Sequence, residues 1–280
     1  MFDKSVWRRF LKRKSSIIGS VILLFFFFGA IFGPLLCTQD PLGQDVANMH
    51  QWPSLEHWFG TDYLGRDIFT RIVYGARISL TLSFTGVISG SIVGILLGVC
   101  AGFFGKAVDS LISRLLDIML AFPGLLLAIM IVAIMGKGLF NTAVAIAVFS
   151  IPGVARMVRS VVISLRSSEY ISACRVMGAS SLRILFTHII PNSISQIIVN
   201  ITLNLGTAIL TASSLSFLGL GVQAPEPEWG AMLSKAREVV RMYPFEALFP
   251  GIAITLVVLS FSLVGDGLRD ALDPKLKNRS

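Results

Sequence analysis

The chain has 280 residues, of which 54% are hydrophobic and only 14% are charged. Soluble domains average about 25% charged residues, so this composition excludes an ordinary soluble protein and predicts an all-α integral membrane protein. The net charge of +8 is accounted for by the membrane topology described below and does not indicate nucleic-acid binding.

Six apolar runs are long enough to cross a bilayer, which takes about 20 residues of helix. They predict six transmembrane helices that begin near Ile17, Ile78, Ile118, Phe140, Ile197 and Ala247. The first run is predicted to remain as an anchor, because it is longer than a typical signal-peptide core and no Ala-x-Ala-like cleavage site follows it. The predicted organisation is a basic tail (1–16), an N-terminal transmembrane helix (17–36), an external segment (37–76), a five-helix core (77–270) and a C-terminal tail (271–280).

The distribution of lysine and arginine predicts the orientation, because positive residues are retained on the cytoplasmic side of a membrane. Most of the 24 basic residues lie on one side when the N-terminus is placed in the cytoplasm. Both termini are therefore predicted to be cytoplasmic. The same holds for a polar segment, Arg166–Asn192, which separates the fourth and fifth predicted helices and is called the 166–192 segment below.

The second predicted helix carries a glycine at every fourth position, at Gly86, Gly90, Gly94, Gly98 and Gly102. In lipid, small residues at this spacing let two helix backbones approach closely. The pattern therefore predicts a groove that another helix fills.

Proline–glycine pairs at Pro123 and Pro152 predict bends in the third and fourth helices, because each proline removes a backbone hydrogen bond. Near the start of the third helix, Arg114 and Asp117 are three residues apart, which predicts a local ion pair.

The fifth predicted helix is the most polar, and its polar residues recur every three or four positions on a single stripe. Such a stripe cannot face lipid without cost. Two interpretations remain: the stripe lines a wet pathway, or it forms hydrogen bonds to a neighbouring helix. Its members are Ser193, Gln196, Asn200, Asn204, Thr207, Thr211 and Ser214.

The predicted membrane interiors hold essentially no acidic or basic side chain. Ion-coupled carriers usually need intramembrane carboxylates or unwound backbone at that depth, so the energy for any transport is expected to come from elsewhere. The chain has no G-x-x-x-x-G-K-[ST] phosphate loop and is expected to bind no ATP or other cofactor and to have no catalytic residues. Its cysteines (Cys37, Cys100, Cys174) and histidines are dispersed, so neither a disulfide framework nor a metal site is predicted.

Two short amphipathic helices, joined at Gly178 and closed by Pro191, are predicted in the 166–192 segment. The first would place Tyr170, Ile171, Cys174 and Met177 on one face, and the second would do the same with Leu182, Leu185, Phe186 and Ile189. A docking surface for another protein and an amphipathic loop at the membrane interface are the two interpretations of this pattern.

Residues Ser172 to Pro191 resemble the EAA loop of ABC importer permeases, whose pattern is E-A-A-x-x-x-G-x9-I-x-L-P. Ala173, Gly178 and Pro191 match it. Ser172 replaces the glutamate, Cys174 the second alanine, His188 the isoleucine and Ile190 the leucine. The resemblance implies an ATPase-coupling loop that includes Glu169, Ser172, Ala173, Cys174, Arg175, Gly178, His188 and Pro191.

Four further stretches are similar to the peptide and nickel branch of these permeases, and to the second of its two paired membrane subunits. They are HWFGTDYLGRD (57–67), YGARISL (74–80), SFLGLGVQAPEPEWG (216–230) and VGDGLRD (264–270). Together they extend the resemblance over almost the whole chain.

The resemblance implies a type I permease subunit of a bacterial inner membrane, with one extra N-terminal helix before the five-helix core. The implied partners are a homologous second permease, two cytoplasmic ATPase subunits that use ATP and magnesium, an extracytoplasmic binding protein and membrane lipid. Short peptides are the expected substrate, with nickel or a metal chelate as the alternative. Gln196, Asn200, Asn204, Thr207, Thr211 and Ser214 are candidates for the pathway lining. An ion-coupled secondary transporter is the competing class of function.

Overall fold

A computed structural model describes residues 4–272 of the chain. Within that range the regular secondary structure is helical, with one isolated β-bridge between Thr61 and Asp67 and no β-strand. This confirms the predicted all-α fold. Most of the predicted C-terminal tail lies outside the described residues. The α-helices are α1 (Lys4–Lys12), α2 (Lys14–Leu36), α3 (Ile68–Phe104), α4 (Lys106–Ala121), α5 (Gly124–Met135), α6 (Leu139–Arg166), α7 (Glu169–Val176), α8 (Ser181–Ile184), α9 (Ile190–Phe217), α10 (Trp229–Ala236) and α11 (Phe245–Leu272).

Among the described residues, five helical stretches are long and apolar enough to cross a membrane. They lie in α2, α3, α6, the stretch from α8 to α9, and α11. Helices α4 and α5 are long and apolar enough to cross a membrane only when they are taken together, and the chain bends by 89° between them. The predicted six helices are therefore reached only if this bent pair forms one span.

The break between α4 and α5 occurs where the Pro123 pair predicts a bend. Phe122 has an extended backbone (φ −89°, ψ 136°), as expected for a residue before proline. Gly124 begins α5 against the ring of Phe149, which would lie 2.1 Å from a β-carbon at position 124. In contrast, α6 continues through Pro152 as a single helix.

The start of α3 differs from the prediction, since the helix begins at Ile68 and not near Ile78. Asp67 caps it by accepting a hydrogen bond from the Thr70 N–H at 2.7 Å, which satisfies one of the free donors of the first turn. The predicted external segment is thus shortened, because residues 68–76 are helical. Hydropathy missed this first stretch because it contains Arg71.

The predicted glycine groove on α3 is filled by α6. A β-carbon at Gly86 would stand 2.6 Å from Ile146, and one at Gly102 would stand 2.8 Å from Val162. The contacts advance in the same direction along both helices, so α3 and α6 run parallel and remain in register over four helical turns. Gly90, Gly94 and Gly98 make similar approaches between these ends.

Ion pairs join α4 to α6 and do not follow the predicted local pairing. Asp117 pairs with Arg156 of α6, not with Arg114. One turn further along α6, Arg159 donates hydrogen bonds to both carboxylate oxygens of Asp109, at 2.5 and 2.7 Å. The partners are 39 and 50 residues apart in sequence, so a local spacing rule could not identify them.

The segment after α9 returns to the core through α10. Trp229 is fully buried, and its indole N–H donates to the Ile72 carbonyl of α3 at 3.0 Å. Its ring makes an edge contact with Phe26 of α2. A single tryptophan therefore ties α10 to both α2 and α3.

Candidate functional site

The 166–192 segment forms a short helix, α7, and a second helical stretch that runs directly into α9. Gly178 separates the two with a left-handed backbone (φ +82°). Ser180 then caps α8 by accepting a hydrogen bond from the Arg183 N–H at 3.3 Å. The predicted pair of helices joined at Gly178 is therefore observed.

Pro191 does not close the second helix, contrary to the prediction. Residues Leu185–Ile189 form a π-turn, in which the Ile190 N–H bonds to the Leu185 carbonyl, and Pro191 lies in the first turn of α9. The wider π-turn accommodates a residue that has no N–H to donate. Helical structure consequently continues from Ser181 to Phe217, so this half of the segment is rigidly joined to the fifth span.

One side of the segment is buried against the ends of α3 and α6. Ile171 and Ile189 are fully buried, and Ile184 is nearly so. They share a hydrophobic cluster with Val158 and Val162 of α6. Burial of such side chains stabilises the attachment by about 1.5–3 kcal/mol for each, so the segment is held on the bundle and does not hang freely from it.

The opposite side of α7 is exposed and apolar. Val176 is 89% exposed and Met177 is 77% exposed. Tyr170 and Ala173 are also exposed, and their spacing of three or four residues places them beside Val176 and Met177. These four side chains are called the outer face of α7.

The predicted apolar faces are each split between the two sides. Ile171 and Cys174 turn inward, whereas Tyr170 and Met177 belong to the outer face of α7. In the second stretch, Leu185 and Ile189 are buried, while Leu182 and Phe186 are exposed. A short helix lying on a bundle buries only the edge in contact with it, and local periodicity does not reveal which edge that is.

The remaining residues of the predicted coupling loop lie close together but differ in exposure. Cys174 Sγ and His188 Nε2 are 3.8 Å apart, which joins α7 to the π-turn. The Ser172 hydroxyl donates to the Ser168 carbonyl at 3.3 Å, within α7 and its cap. Glu169 and Arg175 are exposed near opposite ends of α7, where an acidic first turn and a basic last turn complement the helix dipole.

The polar stripe of α9 forms its hydrogen bonds within the helix. Asn204 donates to the Asn200 side chain at 3.0 Å, and the Thr207 and Thr211 hydroxyls donate to carbonyls one turn earlier. The Ser214 hydroxyl does the same with Leu210. Gln196 is exposed. Within the part of the chain that the structure describes, the stripe is thus not used to bond a neighbouring helix.

Sequence reasoning missed a group of ionisable residues in the connection between α2 and α3. Arg66 forms a paired contact with Asp62, at 2.8 Å from Nε and 2.7 Å from Nη2. His57 Nδ1 lies 3.1 Å from Asp67 Oδ1. All four side chains are buried. The only signal for them is the 57–67 motif itself, which shows neither their burial nor their partners.

A second missed residue is Glu228, which is completely buried between α3, α9 and α10. Its carboxylate caps α10 by accepting from the Ala231 N–H at 2.8 Å, and the Ser79 hydroxyl of α3 donates to it at 3.3 Å. Burial raises the pKa of Glu228 above its ordinary value, and the hydrogen bonds that it accepts only partly oppose this rise. Residues 4–272 contain no group of three or more His, Cys, Asp or Glu side chains suited to hold a metal ion.

Two family models match this chain over most of its length. One, described as the binding-protein-dependent transport system inner membrane component, matches residues 90–278. The other, described as the N-terminal TM domain of oligopeptide transport permease C, matches residues 2–53. The chain therefore belongs to the family of inner membrane components of binding-protein-dependent transport systems, and the predicted family is confirmed.

Particular relatives are similar over nearly the full length. The dipeptide transport system permease protein DppC of Alkalihalophilus pseudofirmus is 53% identical over 98% of this chain and 90% of its own. The glutathione transport system permease protein GsiD of Pectobacterium atrosepticum is 47% identical over 99% of this chain and 94% of its own. GsiD of Escherichia coli is 47% identical over 97% of this chain and 90% of its own.

The fold is shared with a solved transporter. A chain from an inward-facing structure of the MetNI methionine ABC transporter superimposes with a TM-score of 0.62 and 19% identity, over 72% of this chain and 97% of that chain. At this identity the similarity concerns the fold alone.

Proposed function

We propose that this chain is a permease subunit of an ATP-driven importer of short peptides and forms half of its translocation pathway. The observation that carries the proposal is the 53% identity to a dipeptide permease along nearly the whole chain. Relatives that transport glutathione, itself a short peptide, point to the same class of substrate.

The orientation proposed is that both termini and the 166–192 segment face the cytoplasm. The concentration of lysine and arginine on that side supports it. The connections between α2 and α3 and between α9 and α11 would then face the external binding protein. A homologous permease would complete the pathway, and two ATPase subunits would supply the energy.

The outer face of α7 is the proposed contact with an ATPase subunit. Val176 and Met177 offer an exposed apolar edge, and Arg175 beside them offers a cation to a partner's carboxylates. Such a helix fits an apolar cleft, as in other helix-in-groove contacts. Chemical steps occur in the ATPase, so this chain is proposed to have no catalytic role.

Movement of the docked α7 would reach the pathway through two connections. Ile171 holds α7 on the ends of α3 and α6, and the helical stretch from Ser181 to Phe217 joins the segment to α9. The polar stripe of α9, with Asn200, Asn204 and Thr207, is proposed to line the pathway. Neutral amides and hydroxyls can exchange hydrogen bonds with peptide groups of varied sequence.

The docking proposal is tested by introducing a charge on the outer face of α7. Val176→Asp should abolish co-purification of the ATPase while leaving the chain in the membrane, because a carboxylate in an apolar cleft loses its hydration. Val176→Thr, which keeps a β-branched side chain of similar size without adding a charge, is the matched control. Normal recovery of the ATPase with Val176→Asp would reject this surface.

The substrate is tested by competition in intact cells. Uptake of a labelled dipeptide should be reduced by unlabelled dipeptides. Competition by unlabelled glutathione would show whether other short peptides are also accepted. Nickel chelates are the alternative competitors. Competition by nickel chelates without competition by any peptide would replace peptide import with metal import.

A further inference from the structure

The N-terminal helix α1 divides its described side chains among three environments. Val6 and Phe10 are buried and pack against Ala271, with Leu268 and Leu272 beside them, at the end of α11. Trp7 and Leu11 are each 56% exposed. Arg8 and Lys12 are exposed cations. The helix is therefore neither a buried element nor an ordinary solvated one.

The direction of α1 is fixed by Arg13, the residue between α1 and α2. Its backbone is extended (φ −87°, ψ 109°), so α1 does not simply continue the first span. The guanidinium pairs with Asp270 and donates to the Asp266 carbonyl at 3.2 Å. Gly267 lies directly against Ser16 at the start of α2. These contacts hold α1 against the last turns of α11.

The exposed apolar side chains of α1 are followed along the chain by exposed apolar side chains of α2. At about 100° per residue, Trp7 and Leu11 lie between the packed side of α1 and its cationic side. The chain then enters α2, where Ile18 and Val21 are also exposed. Since α2 is a membrane span, the exposed apolar side of α1 lies near the level at which that span enters the bilayer.

We infer that α1 lies in the membrane interface and binds anionic phospholipid headgroups. Trp7 and Leu11 would enter the boundary between headgroups and acyl chains, where tryptophan is favoured. Arg8, Lys12 and Lys14 would meet the phosphates and anionic headgroups, since Lys4–Lys12 contains no acidic residue and Lys14 is exposed at the start of α2. Exposed apolar side chains beside cations are suited to a phospholipid surface, which has both an apolar and an anionic layer. A soluble anion would instead leave Trp7 and Leu11 exposed to water.

This site differs from the proposed ATPase contact, which lies on α7, and it does not depend on the transported substrate. Because α1 packs on the end of α11, bound lipid would also hold that end of the bundle. Each cation near an anionic surface contributes about a fivefold preference. Three cations together would therefore favour contact of α1 with an anionic over a zwitterionic membrane surface by roughly 100-fold.

The test compares lipids that remain bound to the purified full-length chain, measured by native mass spectrometry. The wild type, given equal amounts of phosphatidylglycerol and phosphatidylethanolamine, should retain mainly phosphatidylglycerol. The variant R8Q/K12Q/K14Q should lose that preference. The charge-conserving variant R8K/K12R/K14R should keep it, which separates charge from folding. Equal retention of both lipids by the wild type, or an unchanged preference in the glutamine variant, would overturn the site.

A second measurement identifies what covers the apolar side of α1. A photo-crosslinking amino acid placed at position 7 in the membrane-embedded complex should label phospholipid. Labelling confined to a protein subunit would instead make this side of α1 a protein interface and would overturn the inference.

Discussion

Gly98 of α3 lies so close to Ala155 of α6 that a β-carbon at Gly98 would stand 2.5 Å from the Ala155 carbonyl oxygen. Backbone cannot yield as a flexible side chain can, so Gly98→Ala should force the two helices apart. Overpacking of this kind costs about 1–3 kcal/mol. Thermal unfolding of the purified chain in detergent should show a lower midpoint for Gly98→Ala.

Gly153 of α6 supplies the control for this prediction. A β-carbon at Gly153 would meet nothing within 4 Å, so Gly153→Ala should leave the midpoint unchanged or raise it slightly, as expected for alanine in a helix. Equal losses for Gly98→Ala and Gly153→Ala would show that helix separation is not the cause.

The ion pair of Asp109 with Arg159 should contribute more to stability than the other ion pair between α4 and α6, that of Asp117 with Arg156. The side chains of the first pair are 22% and 34% exposed, whereas those of the second are 62% and 53% exposed. Asp109→Asn should therefore reduce the free energy of unfolding by about 1–2 kcal/mol, and Asp117→Asn by no more than about 0.5 kcal/mol. Chemical unfolding in detergent measures both values, and recovery in the swapped variant D109R/R159D would assign the loss to the pair.

Much of the fold was predictable because it depends on local composition. A glycine at every fourth position predicted a groove on α3 that another helix fills, since the spacing alone generates a groove, but it did not identify α6 as that helix. The break at Pro123 likewise follows from the covalent structure of proline. Apolar length then indicated most of the spans without knowledge of their neighbours.

What could not be predicted depends on residues that meet from distant parts of the sequence. Arg71 interrupts the apolar run at the start of α3, but the Pro41 carbonyl accepts a hydrogen bond from it at 2.6 Å, so the helix begins earlier than hydropathy indicates. Similarly, Ile171 and Met177 look equivalent in the pattern of α7. Only the position of α6 determines that Ile171 is buried while Met177 is exposed.

Gly178 should be required for its backbone conformation and not for its small size. Its φ of +82° is unfavourable for a β-branched residue, although a β-carbon would meet nothing within 4 Å. Gly178→Val should turn α7 away from its docking angle, and substrate uptake should fall while ATP hydrolysis by the assembled complex continues.

Gly178→Asn is the control, because asparagine tolerates left-handed backbone far better than valine. Uptake should therefore be largely retained in that variant at equal abundance in the membrane. Full uptake with Gly178→Val would show that transport does not require the left-handed backbone at residue 178.

Asn204 should affect transport without affecting stability. Its side chain bonds only within α9, to Asn200, so Asn204→Leu removes no bond between helices in residues 4–272. If the stripe lines the pathway, uptake should slow while the abundance and thermal midpoint stay unchanged. Thr202→Val, on the opposite side of α9 and bonded to the Ile198 carbonyl, is the matched control. A lowered midpoint with Asn204→Leu would instead point to packing against another subunit.

The attachment of α10 to α3 should weaken as the pH rises, because of Glu228. Burial raises the pKa of this carboxyl above its ordinary value of 4.5, so the folded state holds the proton more tightly than the unfolded state. The stability that this provides is complete below the ordinary pKa and is lost as the pH rises through the folded-state pKa. Hydrogen exchange of the α10 amides should therefore quicken over that interval in the wild type.

Glu228→Gln keeps an oxygen acceptor for the Ala231 N–H but cannot ionise, so its exchange should lack this change beyond the intrinsic effect of pH. Glu226→Gln, at an exposed position two residues earlier, should behave as the wild type. An identical pH response in Glu228→Gln and the wild type would exclude Glu228 as the titrating group.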